Sequence, residues 1–221
     1  MTSGGTMNNP HKRWQIEKKA EKMVEILQEK DYSVQLAEDL TQAKEMALAM
    51  VEENAIVSVG GSVTLEEMDM IETLRNGPYR FLDRYRKDVP HNPDIINIYR
   101  EGVVADVMLT SVNAVTMNGE MVLSDASGNR ISGLIFGAKK AIVIVGVNKL
   151  VKDLSAAFER IRDIEPMNAR RNNHLTGSGL EGFYVEEFNK KRMLNYTGII
   201  HYGGKFEGRL NIIVVKDEVG F

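Results

Sequence analysis

The chain has 221 residues, 43% hydrophobic and 27% charged, with 28 basic and 31 acidic side chains and a formal net charge of −3. This is ordinary globular usage, enough for one large core or one core with a small appendage, and the charge balance calls for neither nucleic acid nor an anionic membrane as partner. No apolar run approaches the roughly 20 residues that span a bilayer, and the absence of cysteine excludes disulfides, thiolate metal sites, cysteine-ligated clusters and a cysteine nucleophile.

Met1 to Arg13 is small and polar, without an apolar stretch behind a basic start, so no secretory signal is expected and the cytoplasm is the default compartment. Residues 1–13 read as a disordered or tag-like N-terminus and 14–221 as a single α/β domain. Pro10 nevertheless suits a first helical turn, and Trp14, Ala20, Val24 and Leu27 recur near helical spacing up to about Lys30. Tyr32 to Leu36 alternates like a short strand. A second helix carries the stripe Ala43, Met46, Ala47, Met50 and Val51 behind an Asp39-x-x-Gln42 capping pattern. That methionine-rich stripe is read as core rather than as a binding groove.

Ala55 to Val59 is a branched, strand-like run ending at Gly60-Gly61-Ser62. One helix is expected next, with Leu65, Met68, Ile71 and Leu74 on one face, a Thr64-x-x-Glu67 capping box, and a stop at Asn76-Gly77-Pro78. Pro93 opens a further helix that closes at Gly102. Ala105 to Thr110 and Ala114 to Met117 are strand-like, and Asn118-Gly119 signals a tight turn into Glu120 to Leu123. A polar loop from Asp125 to Arg130 precedes a short helix around Ile131 to Phe136. Ala141 to Val145 is the best buried-strand candidate, followed by a helix from Val151 to Asp163. Residues 170–196 read as an irregular insertion or flap, after which Thr197 to His201 and Leu210 to Val215 return to the sheet. Helices alternating with strands favour a mainly parallel sheet covered on both faces.

Two loops carry the candidate chemistry. At Gly60, Gly61, Ser62 and Thr64 a strand runs into a helix start, where free amides, the helix dipole and two hydroxyls could hold a phosphate or carboxylate. The loop is neither a Walker P-loop nor a complete G-x-G-x-x-G fingerprint, and the alternative is a tight turn with hydroxyl caps. In the second loop, Asp125 could serve as a general base and Arg130 as a bidentate anion clamp, or Ser127 or Asn129 could cap the following helix. Glu120 is a candidate nucleophile or base, or a solvated turn carboxylate, and Asn113 a candidate ligand-contacting amide or a plain loop residue. His11, His91, His174 and His201 show no ligand spacing, so no metal site is expected. The basic runs Asp83 to Lys87 and Arg170-Arg171 read as solvated faces. No serine sits in a G-x-S-x-G elbow.

Taken together, these loops resemble the lactate-utilisation (LUD) domain family, near its LutC-like branch. The resemblance is carried by the Gly60 to Glu67 stretch, Phe81 to Tyr85, Ala105 to Ala114, Asn118-Gly119-Glu120, Gly128-Asn129-Arg130, Leu134 to Lys140, Val147-Asn148-Lys149, Pro166 to Ala169 and the Gly220-Phe221 ending, and runs from roughly Ile16 onward. It implies a NagB/RpiA/CoA-transferase-like α/β fold that binds an anionic small molecule at loops following strands. Gly60, Gly61, Ser62 and Thr64 would then form the anion loop, with Asp125, Gly128, Asn129 and Arg130 on the opposite wall and Asn113 and Glu120 nearby. The resemblance also implies a link to lactate oxidation alongside iron–sulfur partner proteins. Relatives with the Pro-Met-Asn-Ala motif often carry a cysteine-rich segment soon after it. The corresponding stretch here, from His174 to Tyr196, carries none. A non-redox subunit of lactate or carboxylate metabolism is therefore expected, the alternatives being a stand-alone isomerase or CoA-transferase-like enzyme using Glu120 or Asp125, and a metabolite sensor or scaffold. The cofactor is left open by the sequence, and a homo-oligomer is expected.

Overall fold

A computed structural model describes residues 9–86, 93–171 and 194–221. Helix α1 (Pro10–Gln28) begins at the cap Asn9, whose side chain accepts from the amides of His11 and Lys12. It leads to β1 (Ser33–Ala37), α2 (Leu40–Ala49) and β2 (Ile56–Val59), then to α3 (Val63–Glu67), α4 (Met70–Asn76), β3 (Arg80–Phe81) and α5 (Pro93–Val103). Strand β4 (Val107–Thr110) is followed by the hairpin of β5 (Ala114–Thr116) and β6 (Met121–Asp125), a turn of helix α6 (Asn129–Ser132) and a π-helical turn over Gly133–Gly137. The chain closes with β7 (Lys140–Gly146), β8 (Leu150–Val151), α7 (Leu154–Arg171), β9 (Tyr196–Ile200) and β10 (Leu210–Val215). Among the described residues no helix is long and apolar enough to cross a membrane.

Among the described residues six strands form one sheet in the order β1-β10-β7-β4-β2-β3, every neighbouring pair parallel. The unbroken apolar runs of β7 and β10 follow from this: side chains alternate between faces, and both faces are covered. Val143, Val145, Ile212 and Val214 pack beneath α1 on Met23 and Leu27, whereas Ile142, Ile144, Ile213 and Val215 pack on Ala43 and Ala47 of α2 and Leu65 of α3. The mainly parallel α/β class expected from the sequence is therefore present.

Several expectations need correction. The hairpin does not extend the main sheet: β5 and β6 join β8 and β9 in a second, mixed sheet of order β8-β5-β6-β9. Thr197 to His201 accordingly returns to that second sheet, and only Leu210 to Val215 returns to the first. The alternation along β6 explains the layering, because Met121 and Leu123 face the core shared with α1 while Val122 faces Ala157 and Ile161 of α7. The single helix expected after Gly61 is broken into α3 and α4 at Asp69, whose φ is +52°. Its cap is Ser62, which accepts from the Leu65 amide at 3.4 Å, not Thr64. Helix α7 continues through Pro166 to Arg171, past the expected end at Asp163. Proline forfeits one hydrogen bond, and burial of Ile164 and Ala169 holds the turns around it. Most of the expected flap at 170–196 lies outside the described residues. Trp14, placed on the buried stripe of α1, is 62% exposed, and Met23 and Ile26 take that role.

Candidate functional site

In an open α/β sheet the crevice beyond the carboxyl ends of the strands is where loops of several strands converge. Here β2, β4 and β7 are adjacent, and their following turns supply Gly61-Ser62, Ser111-Val112-Asn113 and Lys149 to one cavity of about 100 Å³. The second sheet adds Ser124 and Asp125 from the end of β6, and α7 closes the space with Ile164, Asn168 and Arg171. A space of this size holds several waters, and hence a small metabolite.

The two candidate loops do meet. Arg130 is buried and threads against Gly60: a Cβ built there would stand 2.7 Å from Arg130 Cδ and 2.4 Å from Thr110 Oγ1. Its guanidinium donates from Nε to Asp125 Oδ1 at 2.8 Å, from one terminal nitrogen to the Ser111 carbonyl at 2.9 Å, and from the other to Asn113 Oδ1 at 2.8 Å and the Ser124 carbonyl at 2.9 Å. The second oxygen of Asp125 accepts from the Ile131 amide at 2.9 Å. Asp125 thus satisfies the start of α6, a role the sequence left open to Ser127 or Asn129; the actual cap position is Gly128, at φ +75° and without a side chain to contribute. The Arg130 fork is largely consumed in fastening the β4 turn to the end of β6, so its part in the pocket is to set the wall.

The first loop is also divided in its duties. The Gly60 amide donates to the Leu109 carbonyl at 2.9 Å and continues the β2–β4 ladder. Gly61 and Ser62 line the cavity, whereas Thr64 is fully buried behind it, with its hydroxyl 3.1 Å from Lys149 Nζ. Asn113 and Asn129 line the cavity as well. Glu120 is not in the lining. It stands at the other end of β6, about 16 Å along an extended strand from Asp125, where its carboxylate takes the Thr116 hydroxyl and faces His201. Glu120 and Asp125 are therefore not brought together.

Three cations lining the cavity were not singled out from the sequence. Lys149 is 3% exposed, and its Nζ contacts the hydroxyls of Ser111 at 2.8 Å and Thr64 at 3.1 Å. Burial first, and the nearby positive charges of Arg160 and Arg130 second, push its amine down to about 7. Arg171 and Arg84 lean over Gly61, their terminal nitrogens 3.4 Å and 3.7 Å from a Cβ built on that glycine, which keeps them within a Debye length of about 8 Å of each other. Arg171 is held by Glu66 at 2.6 Å, and Arg84 stacks 4.5 Å from the Tyr99 ring centroid while donating to the Tyr99 hydroxyl at 3.1 Å. The available signal for Lys149 was its place directly after the best buried strand; Arg84 and Arg171 sat in runs that look like solvated faces. Among the described lining side chains, Arg84, Arg130, Lys149 and Arg171 are basic and Asp125 is acidic; Asp125 engages Arg130, and Glu66 engages Arg171.

Fold and site together define an α/β protein with a small cationic pocket at the carboxyl ends of adjacent parallel strands. The chain belongs to the LUD domain family, whose model matches residues 20–215. That family is named for lactate utilisation. Similar solved structures include a DUF162 family protein from Deinococcus radiodurans, 15% identical, with 92% of this chain and 98% of that chain covered at a TM-score of 0.46. A D-ribose-5-phosphate isomerase in complex with phospho-erythronic acid is 14% identical, with 80% and 93% covered at 0.37. The eIF2B delta of Chaetomium thermophilum is 13% identical, with 68% and 60% covered at 0.32. Likenesses this distant bear on neither ligand nor reaction. No curated protein matches the sequence.

Proposed function

We propose that this LUD-domain chain binds a small anionic metabolite in the pocket beyond β2, β4 and β7, as a non-redox subunit of lactate or related carboxylate metabolism. The observation that carries this reading is the basic character of the described lining, four basic side chains to one acidic one, with Arg130 paired to Asp125 and Arg171 to Glu66. Desolvated positive charges attract an anion far more strongly than solvated ones, and Gly61 keeps the approach beneath Arg84 and Arg171 free of a side chain. In this reading electron transfer falls to iron–sulfur partner proteins, since this chain has no cysteine to ligate a cluster.

Isothermal calorimetry with L-lactate, pyruvate, sugar phosphates, acyl-CoA esters and inorganic phosphate tests binding, since a ligand that binds only the folded state also raises its melting temperature. Saturable binding by one of these classes, lost in Arg84→Ala/Arg171→Ala, supports the reading. Absence of binding across all of them, or normal growth on L-lactate after deletion of the gene, overturns it. The alternative of a stand-alone isomerase or CoA transferase driven by Glu120 or Asp125 is less well supported, because both Asp125 oxygens are occupied and Glu120 lies outside the lining.

A further inference from the structure

A buried lysine that touches no carboxylate is unusual, because burying an ammonium without a counter-charge in contact is costly. Lys149 is in that position. Its hydrogen-bond partners are two hydroxyls, and among the described residues no ion pair reaches it. The elements packed about it present Arg130 from α6, itself engaged by Asp125, Arg160 from α7, and Glu67 from α3 as the charge that opposes them. The Glu67 carboxylate is occupied with the Gly220 amide at 2.8 Å, and Gly220 roofs the amine, a Cβ there standing 3.3 Å from Nζ. Yet Lys149 lines the cavity. Desolvation and neighbouring cations are what make a lysine amine nucleophilic near neutral pH.

We propose that the Lys149 amine is a nucleophile that condenses with the aldehyde or ketone carbon of an anionic ligand held in this pocket, an inference that rests on the anion-binding reading above. The nitrogen lone pair adds to the carbonyl carbon while the C–O π pair moves onto oxygen. A proton passes from nitrogen to that oxygen, giving a carbinolamine. Departure of the hydroxyl with the second nitrogen proton, as one water, leaves a C=N bond. No electron is gained or lost overall. The Ser111 and Thr64 hydroxyls, each both donor and acceptor and 2.8 Å and 3.1 Å from the nitrogen, are placed to relay these protons. The charges of Arg84 and Arg171 hold the ligand's anionic group at the mouth.

Two probes applied to the full chain separate this inference from the reading beneath it. Glyoxylate with borohydride traps an imine with an anionic aldehyde, and formaldehyde with cyanoborohydride reports on the amine without any anion. Peptide mapping at pH 7 is expected to find Lys149 labelled by both probes with roughly tenfold preference over other lysines, because ordinary solvated amines titrate near 10.4. Lys149→Arg, which keeps the charge, is expected to abolish the preferred adduct. Labelling by formaldehyde alone supports the nucleophile and overturns the anion reading. Labelling of Lys149 no better than that of other lysines by either probe overturns the inference, even where calorimetry shows that inorganic phosphate binds.

Discussion

Gly60 and Arg130 occupy the same few ångströms. The arginine stem runs through the volume that any side chain at position 60 would need, its Cγ 2.8 Å and its Cδ 2.7 Å from a built Cβ. This contact joins the turn after β2 to the start of α6, and brings two loops 70 residues apart onto one cavity wall. Gly60→Ala is expected to lower stability by about 1–3 kcal/mol, the usual cost of an extra carbon in a packed interior, because Thr110 blocks the other side as well. Urea denaturation gives the number. A variant as stable as the parent would mean that Arg130 can move aside freely.

Removing Arg130 itself is expected to cost more. Its side chain and that of Asp125 are 9% and 8% exposed, and truncation leaves a buried carboxylate without its cation and takes a donor from the Ser111 and Ser124 carbonyls. Breaking a buried pair by deleting one partner costs about 3–5 kcal/mol. Arg130→Met should therefore unfold at markedly lower urea concentration, and an unchanged midpoint would contradict the wall-fastening role.

Lys149 makes stability depend on pH in a definite direction. Its folded pKa, about 7, lies below the unfolded value near 10.4, so between these limits the unfolded chain binds more protons and stability rises with pH. The cost of burying the ammonium is fully present below about pH 7 and is relieved by about pH 10.4, a change on the order of a few kcal/mol. Lys149→Met should thus compare best with the parent at pH 6 and worst at pH 10. Parallel curves for the two proteins would show that the amine is not desolvated.

Arg84 and Arg171 should act on binding more than on folding. Arg171 is 19% exposed at its side chain and its Glu66 partner 39%, and pairs of that kind contribute little to stability. A charge-assisted hydrogen bond to an anion is worth about 1.5–3 kcal/mol, so either substitution by alanine should weaken anion binding by about tenfold or more. Calorimetry with inorganic phosphate checks this.

Glu120→Gln, by contrast, should leave anion binding within about twofold, because its carboxylate serves Thr116 at the hairpin, at the opposite end of β6 from the pocket. A tenfold loss would bring Glu120 back among the pocket residues, tenfold corresponding to about 1.4 kcal/mol of binding energy.

Local pattern was enough to read the α/β class, the buried strands β7 and β10, the hairpin turn at Asn118-Gly119 and the glycine turn after β2. These depend on periodicity, branched side chains and backbone freedom, which act over a few residues. The same range explains why the helix break at Asp69 and the run of α7 through Pro166 were not legible, since each is held by packing from elsewhere. The pocket's chemistry lies further still from local pattern. Lys149 meets Thr64 across 85 residues and Ser111 across 38, and Arg84 meets Arg171 only because α7 folds over the β2 turn. A lysine's spacing in the chain says nothing about whether water reaches it. Only the assembled walls decide that, because desolvation depends on every neighbour at once.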